Sequence, residues 1–356
     1  MQEILDFYKN KRVLVTGHTG FKGSWMCEVL LYAGAQVYGY ALEPPTNPSL
    51  FAQCKLSESI TSYRGDICDL DRLMEVFLAT QPEIVIHMAA QPIVRESYKN
   101  PVGTYKTNVM GTVNLLECAR LTQSVKSIIN VTTDKVYLNR EWEWGYREIE
   151  RLNGYDPYSN SKSCSELVTD SYRNSFFGTE SNRRLAVSTM RAGNVIGGGD
   201  YAADRIIPDC IRAGECGKNI GIRNPHSIRP FQHVLEPLMA YLMVAKAQYE
   251  NIELQGAYNV GPDEKDCLST GELATIFCRE WELATGKEIS WINQFAGGPH
   301  EAAFLKLDCS KIKRVFGWHP RWNIGEAVKR SIEVYLMAQS GGDVRNCMRE
   351  QICEFL

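Results

Sequence analysis

Short apolar runs alternate with segments of helical periodicity along the N-terminal half of the chain. The runs are rich in aliphatic and aromatic residues, which is typical of strands buried on both faces of a sheet. These predicted strands, with two shorter ones from the C-terminal half, are 12–16, 36–42, 83–89, 126–132, 185–191, 257–260 and 289–292. Between them, apolar residues recur as they do on one face of a helix. The alternation predicts the α/β class, with a Rossmann-type doubly wound parallel sheet.

The predicted helices begin at residues that suit a helix N-terminus. Asp69 is the expected N-cap of one helix, and Pro157 opens another. Ser269, with Glu272 three residues later, predicts a capping box. Further helices are predicted over 21–33, 102–121, 205–213, 235–247 and 324–337, the last being the final element of the pattern.

Composition excludes several classes of protein. A net charge of -3 gives no overall positive field for nucleic acid. Residues 1–11 are charged and lack the apolar core of a signal peptide, and no run approaches the ~18 apolar residues of a membrane span. The 12 cysteines form no CxxC pair and the 6 histidines lack ligand-like spacing, so no metal site is predicted. We expect a soluble, cytoplasmic protein with neither a nucleic-acid nor a membrane partner.

A glycine-rich loop follows the first predicted strand and opens the next helix. Its sequence TGHTGFKG spaces three glycines so that the backbone can turn tightly and approach a pyrophosphate at the helix N-terminus. This context favours a dinucleotide site over a plain surface turn. The predicted cofactor-binding residues of the loop are Gly17, Thr19, Gly20, Phe21, Lys22 and Gly23.

The second predicted strand lacks the acid that often binds the adenosine ribose of NAD. Glu43 comes late after that strand, and Lys22 adds positive charge, so NAD and NADP both stay open. Asp66 and Ile67 follow a further short stretch that is a candidate strand between 36–42 and 83–89, and they suit the adenine edge, with an ordinary turn as the equal alternative.

Tyr158 and Lys162 lie four residues apart on a predicted helix, so their side chains share one face. A phenol titrates near pH ~10, and a neighbouring ammonium would lower its pKa. Such a tyrosine could take a proton from a hydroxyl at neutral pH. The alternative is an exposed helix that carries an unrelated tyrosine and lysine.

Residues at the ends of other strands add to this pair. Thr132 closes the strand before the Tyr–Lys helix, at the edge where open sheets bind ligands. Ala89 and Ala90 lie at the end of another strand and are small enough for a cofactor to approach. Asn108 is predicted on a helix that faces the same crevice, with a core asparagine as the alternative.

With these residues assembled, the chain resembles the extended short-chain dehydrogenases/reductases of the nucleotide-sugar epimerase and dehydratase type. The segments TGHTGFKGSW, GDICD, HMAAQP, TNVMGT, VTTDKVY, YxxxK and MRAGNVIGGGD occur in the family's order. The resemblance implies NAD as cofactor, and Thr133 with Asp134 separates the dehydratases from simple epimerases. Lys22 and the segment RPFQHVLEP, which starts at Arg229, point to CDP-glucose as substrate.

The length of 356 residues and the looser pattern after Gly197 predict one large domain with a smaller lobe. Residues 1–197 plus 231–262 would form the NAD-binding Rossmann domain, and 198–230 plus 263–340 a smaller α/β lobe for the nucleotide sugar. Within the second unit, residues 220–229 have the pattern of a loop.

The reaction implied by the resemblance has three parts: C4 oxidation, loss of water across C5–C6, and return of hydride to C6. Tyr158 would remove the proton of the 4-hydroxyl, Thr133 would bind the 4-oxygen, and Asp134 would protonate the departing 6-hydroxyl. Lys135 stands where related enzymes carry a glutamate as the C5 base. It would act as the base itself, or pair with Asp134 and leave this step to another group.

The substrate-binding candidates follow from the same resemblance. Asn194 matches a position near the substrate phosphates, and the guanidinium fork of Arg229 suits a pyrophosphate. Arg205 is a weaker candidate, with a solvated surface arginine as its equal alternative. Gln91 and His300 complete the set, whereas the contacts to the nucleoside stay open.

Assembly and rival functions rest on the resemblance too. The helices near 102–122 and 158–178 would form a homodimer, with a tetramer left open, and deoxysugar biosynthesis such as that of lipopolysaccharide O-antigen would be the setting. One rival is a nucleotide-sugar 4-epimerase, which needs no Asp134. Another is a non-catalytic dinucleotide sensor, against which the retained Tyr158 and Lys162 argue.

Overall fold

The computed structural model describes residues 1–177, 184–294 and 303–356. A seven-stranded parallel sheet with the order β11-β6-β5-β4-β1-β2-β3 forms its centre. In chain order the strands are β1 Arg12–Thr16, β2 Gln36–Ala41, β3 Thr61–Arg64, β4 Ile84–His87, β5 Ser127–Val131, β6 Ala186–Ala192, β7 Val195–Ile196, β8 Ile220–Ile222, β9 Ile228–Pro230, β10 Gln232–His233, β11 Ala257–Val260, β12 Cys267–Ser269 and β13 Trp291–Asn293.

Helices cover both faces of this sheet and build the smaller layer. They are α1 Gln2–Tyr8, α2 Phe21–Tyr32, α3 Leu50–Gln53, α4 Leu70–Thr80, α5 Val94–Lys99, α6 Pro101–Tyr105, α7 Gly111–Leu121, α8 Pro157–Phe176, α9 Ile206–Glu215, α10 Leu235–Glu250, α11 Thr270–Thr285, α12 Ser310–Phe316, α13 Ile324–Gln339 and α14 Val344–Phe355. The predicted α/β class with a doubly wound parallel sheet is therefore confirmed.

The strand order reverses between β1 and β4, the neighbours at the centre of the sheet. Val13 pairs with Val37 of β2 on one side and with Ile84 of β4 on the other. Crossovers therefore leave β1 and β4 toward opposite faces, which opens a crevice at their carboxyl ends. This reversal fixes where a ligand can enter the sheet.

Two apolar layers hold the helices to the sheet. One contains Trp25 of α2, residues of α10 and Met348 of α14, and the other contains Phe77 of α4 and Leu116 of α7. A third cluster, around Phe277 and Trp281, lies among α9, α11 and α13. The capping residues act as predicted: Asp69 accepts a hydrogen bond from the backbone N–H of Arg72 at 3.0 Å.

Three expectations about the elements are wrong. Residues 220–229 are not simply a loop, because β8 pairs with β13 and β9 with β12, partners far along the chain. The helix over 324–337 is not the last, since α14 follows it and docks on α2 through Glu28. The predicted helix 102–121 is interrupted by a π-helical turn, Lys106–Met110, between α6 and α7.

Candidate active site

A large cavity opens at the carboxyl ends of β1, β4, β5 and β6, where open α/β sheets bind ligands. Its volume is about 1430 Å³. That exceeds the ~300–1,000 Å³ of a typical ligand site, so there is room for two ligands side by side. The predicted site residues that line it are Gly17, Thr19, Gly20, Phe21, Lys22, Gly23, Asp66, Ile67, Ala89, Ala90, Thr132, Thr133, Asp134, Lys135, Tyr158, Lys162, Asn194, Arg205 and Arg229.

The glycine loop between β1 and α2 is packed too tightly to hold side chains. A Cβ on Gly17 would lie 2.8 Å from the backbone nitrogen of Ala89, and one on Gly23 would lie 2.2 Å from the carbonyl oxygen of Gly17. Gly17 also has a φ of +73°, which favours glycine. The loop therefore sets the first turn of α2, with Gly20 as N-cap, at the cavity wall. Free backbone N–H groups there fit the pyrophosphate of a dinucleotide.

Just after β2, an acid and an arginine form an ion pair. Glu43 lines the cavity just beyond β2, and its Oε2 pairs with Nη2 of Arg64 at 3.0 Å. Arg64 also donates a hydrogen bond to the carbonyl of Leu42 at 2.8 Å. An acid at this position suits a ribose hydroxyl, and an arginine suits a 2′-phosphate. Glu43, which the sequence places late after β2, therefore lines the cavity and is paired with Arg64.

His18 of the glycine loop is a buried residue that sequence reasoning did not single out. Its Nε2 lies 2.7 Å from Oγ of Ser62, and its ring fills the space beside Gly39, where a Cβ would come within 2.4 Å of it. Burial lowers the pKa of His18 to about 4, so the imidazole is neutral. The available signal was Gly39 within a strand, since such a glycine often marks a close approach.

Lys22 projects from the same loop into the catalytic region. Its Nζ donates a hydrogen bond to the hydroxyl of Tyr241 at 3.1 Å and lies 5.2 Å from the centre of that ring. Burial, reinforced by the charges of Arg205 and Lys162, lowers the pKa of Lys22 to about 7. The charge of Asp134 acts in the other direction, and Lys22 lines the cavity within reach of an anionic ligand.

Helix α8 brings Tyr158 and Lys162 to the cavity wall, and Asp156 caps it by accepting a hydrogen bond from the Ser159 backbone N–H at 3.0 Å. Lys162 Nζ donates to the carbonyl of Val131 at 3.1 Å. Burial raises the pKa of Tyr158 to about 12 and lowers the pKa of Lys162 to about 8. The expectation of a tyrosine pKa lowered by the ammonium is wrong for this structure, because desolvation dominates and the ammonium is bonded elsewhere.

Thr133 and Asp134 follow β5 and lie next to Tyr158. The hydroxyl of Thr133 donates to Oδ1 of Asp134 at 3.0 Å, and Thr133 is also in hydrogen-bond contact with the phenol of Tyr158. Oδ2 of Asp134 is buried without a hydrogen-bond partner among the described residues. Burial raises the pKa of Asp134, although Lys135 and Thr133 oppose the shift. Asp134 is therefore suited to hold a proton at the cavity wall.

Lys135 lines the cavity and is half-buried. Within the described parts of the chain, the ion pairs do not include one between Lys135 and Asp134. The alternative in which these two side chains pair directly is therefore not what the structure contains.

Asn108 and Gln91 lie behind the wall rather than on it. Oδ1 of Asn108 accepts the backbone N–H of Gln91 at 2.8 Å, and Nδ2 donates to Oγ of Ser161 at 2.9 Å. The Gln91 side chain in turn donates to Thr104 at 2.9 Å. Their observed contacts fix the segment after β4 against α8.

The substrate candidates lie on the smaller layer's side of the cavity. Arg229 is buried on β9, donates to the carbonyl of Ile228 at 2.8 Å, and its charge acts on Asp134. Arg205 pairs with Asp200 at 3.0 Å and lines the cavity, so it is not simply a solvated surface arginine. His300 lies outside the described residues.

The sequence did not predict a cluster of two arginines and one aspartate at the cavity. Nη1 of Arg95 and Nη1 of Arg223 lie 3.5 Å and 3.1 Å from the same oxygen, Oδ1 of Asp204. No local pattern reveals it, because the three residues come from distant segments. Together with the glycine loop, the strand order and the Tyr–Lys pair, the whole arrangement defines the class of extended short-chain dehydrogenases/reductases.

Comparison with known proteins identifies the family. The model of the GDP-mannose 4,6-dehydratase family matches residues 14–331. A CDP-glucose 4,6-dehydratase from Salmonella typhimurium is 47% identical over 99% of this chain and 98% of its own length. A dTDP-glucose 4,6-dehydratase from Haemophilus influenzae is 26% identical over 92% of this chain and 98% of its own. The chain belongs to the GDP-mannose 4,6-dehydratase family.

Solved structures share the fold. The dTDP-glucose 4,6-dehydratase from Bacillus anthracis in complex with NAD has a TM-score of 0.74 at 20% identity, covering 94% of this chain and 99% of that one. A UDP-glucose 4-epimerase from Thermotoga maritima has a TM-score of 0.78 at 22% identity, covering 92% and 99%. In the described residues, no helix is long and apolar enough to cross a membrane.

Proposed function

We propose that this protein is an NAD-dependent CDP-glucose 4,6-dehydratase, which converts CDP-D-glucose to CDP-4-dehydro-6-deoxy-D-glucose and water. The observation that carries the proposal is the meeting of Tyr158, Thr133 and Asp134 at one cavity wall, with a raised pKa on Asp134. A 4-epimerase needs the tyrosine but has no use for an acid. The 47% identity to the Salmonella enzyme supports the choice of substrate.

The cavity fits the nicotinamide dinucleotide that this function requires. The closely packed glycines 17 and 23 would hold the pyrophosphate, and Asp66 and Ile67 would border the adenine. When bound, the nicotinamide supplies a hydride acceptor for C4 and a hydride donor for C6.

The chain's own residues would then handle the protons. Burial raises the pKa of Tyr158 to about 12, so this phenol would have to lose its own proton before it takes that of the 4-hydroxyl. Thr133, which contacts both Tyr158 and Asp134, would orient the 4-oxygen. Once C4 is a ketone, the C5 proton becomes acidic. Asp134, whose pKa burial raises, would give a proton to the departing 6-hydroxyl. Arg229 and Asn194 would hold the diphosphate.

Lys135 is our candidate for the base at C5, since it lines the cavity beside Asp134 without pairing to it. Lys135→Met should then block water loss more than the first oxidation. The reduced cofactor would accumulate and be seen by its absorbance. Equal loss of both steps would point to a positioning role instead.

The substrate test incubates the protein with NAD and, separately, CDP-glucose, dTDP-glucose, UDP-glucose and GDP-mannose. Mass spectrometry of the sugar nucleotide should show loss of one water from CDP-glucose alone. Water loss from a different nucleotide would keep the chemistry and overturn the base preference. An epimer of unchanged mass would replace the dehydratase by the epimerase.

Domains, assembly and setting are part of the proposal. We infer an NAD-binding domain of 1–197 plus 231–262 and a nucleotide-sugar lobe of 198–230 plus 263–340. Exposed apolar side chains on α6–α8, among them Val102, Met110 and Leu167, support a homodimer through these helices. A cytoplasmic role in deoxysugar biosynthesis, such as that of O-antigen, fits the substrate. Light scattering at several concentrations would separate monomer, dimer and tetramer.

A further inference from the structure

Asp204 joins two arginines that come from opposite sides of the cavity. Arg95 belongs to α5, which follows the central strand β4, whereas Arg223 follows β8 of the smaller layer. Both guanidinium groups reach Oδ1 of Asp204, at 3.5 Å and 3.1 Å. All three residues line the cavity. One carboxylate oxygen therefore bridges the two sides of the cavity.

These contacts leave hydrogen-bonding capacity unused. Nε of Arg95 is buried and has no hydrogen-bond partner among the described residues. Two arginines share one oxygen, although each guanidinium could engage two oxygens side by side. Side-chain exposures of 33%, 40% and 31% for Arg95, Asp204 and Arg223 keep the pairing in partial contact with water, where ion pairs are weak. The cluster is therefore open to exchange with a better anion.

A second arginine–aspartate pair lies in the same segment as Asp204. Arg205, next in sequence, pairs with Asp200, so the 200–205 segment offers carboxylates to three cavity arginines. Asp204 adopts a φ of +61°, a conformation that costs energy for residues other than glycine. That backbone conformation holds its carboxylate at the meeting point of Arg95 and Arg223.

We propose that Asp204 is a stand-in anion, which holds Arg95 and Arg223 until the diphosphate of the incoming nucleotide takes both arginines from it. The inference rests on the proposed function, because it assumes a nucleoside diphosphate sugar as ligand. A diphosphate carries more charge and more oxygens than one carboxylate, so it can satisfy both guanidinium forks. Asp204 is then a positioning residue that keeps Arg95 and Arg223 close together. It also lowers the affinity for anions that cannot bind both arginines.

Calorimetric titration of the full chain with CDP, inorganic pyrophosphate and cytidine tests this. Asp204→Asn removes the competing charge but keeps the side-chain shape, so CDP and pyrophosphate should bind roughly tenfold more tightly, a shift readily measured by this method. Cytidine, which lacks phosphates, should bind unchanged. Arg95→Gln and Arg223→Gln should each weaken CDP and pyrophosphate binding by roughly tenfold or more and also spare cytidine.

Asp170→Asn is the matched control, since Asp170 pairs with Arg173 on α8 and does not line the cavity. It should leave all three affinities unchanged. Unchanged or weaker CDP binding in Asp204→Asn, in a protein with wild-type circular dichroism and NAD binding, would overturn the inference. Should that variant not fold, the Arg95→Gln/Arg223→Gln double variant decides: wild-type CDP affinity there would equally overturn it.

The same titrations separate this inference from the proposed function. If the wild-type protein removes water from CDP-glucose and Asp204→Asn fails to tighten CDP binding, only the stand-in role is lost. If the wild-type protein binds neither CDP nor CDP-glucose, the proposed function fails first.

Discussion

Two buried charged groups lie one helical turn apart on α8, yet their surroundings differ. Glu166 accepts hydrogen bonds from Thr132 at 2.5 Å, from Thr189 at 2.6 Å and from the guanidinium of Arg191 at 2.8 Å. Lys162, which faces the cavity, has a single protein hydrogen bond among those described, to the carbonyl of Val131 at 3.1 Å. α8 therefore carries one buried charge with three hydrogen bonds, at Glu166, and one turn away another with a single described hydrogen bond, at Lys162.

The titration behaviour of the two groups reflects this difference. Burial alone would raise the pKa of Glu166, but Arg191 and the two threonines outweigh it and lower that pKa. For Lys162, burial dominates and lowers the pKa to about 8, with only Glu166 acting in the other direction. Full hydrogen bonding keeps a buried group in its charged form, whereas with few hydrogen bonds burial shifts its pKa toward the neutral form.

The comparison separates stability from reactivity. The Glu166–Arg191 network links α8 to β6 and should contribute to folding. Asp134, by contrast, keeps an unpartnered carboxylate oxygen, and Lys162 has one hydrogen bond among those described, so both have capacity left for a ligand. Active sites often hold groups with perturbed pKa values in this way. Substitutions in the Glu166–Arg191 network should therefore lower stability, whereas substitutions of the cavity-facing groups should lower activity.

The largest effect is expected on turnover, from Tyr158→Phe. Loss of the general base should lower the rate of water loss from CDP-glucose by roughly 10²–10⁴-fold. Binding of NAD, measured by fluorescence titration, should stay near wild type, because the change removes one hydroxyl from the wall. Tyr98→Phe, on the exposed side of α5, is the control and should keep full activity. A Tyr158→Phe enzyme of near-normal rate would remove this residue from the mechanism.

Glu166→Gln should instead act on stability. It leaves the guanidinium of Arg191 buried without its counter-ion, which costs about 3–5 kcal/mol in the free energy of unfolding. Urea unfolding followed by circular dichroism measures the loss. Glu117→Gln removes a carboxylate from the partly exposed pair with Arg120 on α7 and should cost at most about 1 kcal/mol. Equal losses in the two variants would contradict the distinction drawn between the buried network and ordinary ion pairs.

Lys162→Met should stabilise the fold at neutral pH, although it removes a cationic side chain from the cavity wall one helical turn from Tyr158. With a pKa of about 8 in the folded protein and ~10.4 when unfolded, Lys162 binds fewer protons in the folded state between these values. Stability of the wild type should therefore rise with pH across that window, and methionine should remove this part of the slope. At pH 7 the gain should be about 1–2 kcal/mol, since some of it is offset by the unpaired Val131 carbonyl.

Lys246→Met, on the partly exposed side of α10, is the control for that measurement and should leave both stability and slope near wild type. Destabilisation by Lys162→Met at pH 7 would mean that this ammonium is better solvated than its surroundings indicate.

Local patterns in the sequence predicted the central sheet and much of the cavity wall. The strand runs, the caps at Asp69 and Ser269, and the Tyr158–Lys162 spacing each depend on residues close together in the chain. The structure places those short-range features as expected. The glycine loop belongs to the same group, because its glycines contact each other and the next strand end.

Features that depend on distant partners were missed or reversed. β8 and β9 are strands only because β13 and β12 pair with them, and no short window contains both members. The raised pKa of Tyr158 follows from burial, which is set by packing rather than by the YxxxK spacing. The Arg95–Asp204–Arg223 cluster likewise exists only after folding.

The smallest effect is expected from Asp134→Asn, and it concerns the pH dependence of stability. Burial raises the pKa of Asp134 above 3.8, so the folded state holds a proton that the unfolded state has lost. Wild-type stability should therefore fall as the pH rises above about 4, and asparagine, which cannot ionise, should remove this part of the fall. At pH 4 the change should stay below about 1 kcal/mol, because the amide oxygen can still accept the hydrogen bond from Thr133. Urea unfolding at pH 4, 5.5 and 7 measures it. A variant less stable than wild type at pH 7 would show that Asp134 is stabilised as an anion, which would place it with Glu166 and not with the reactive group.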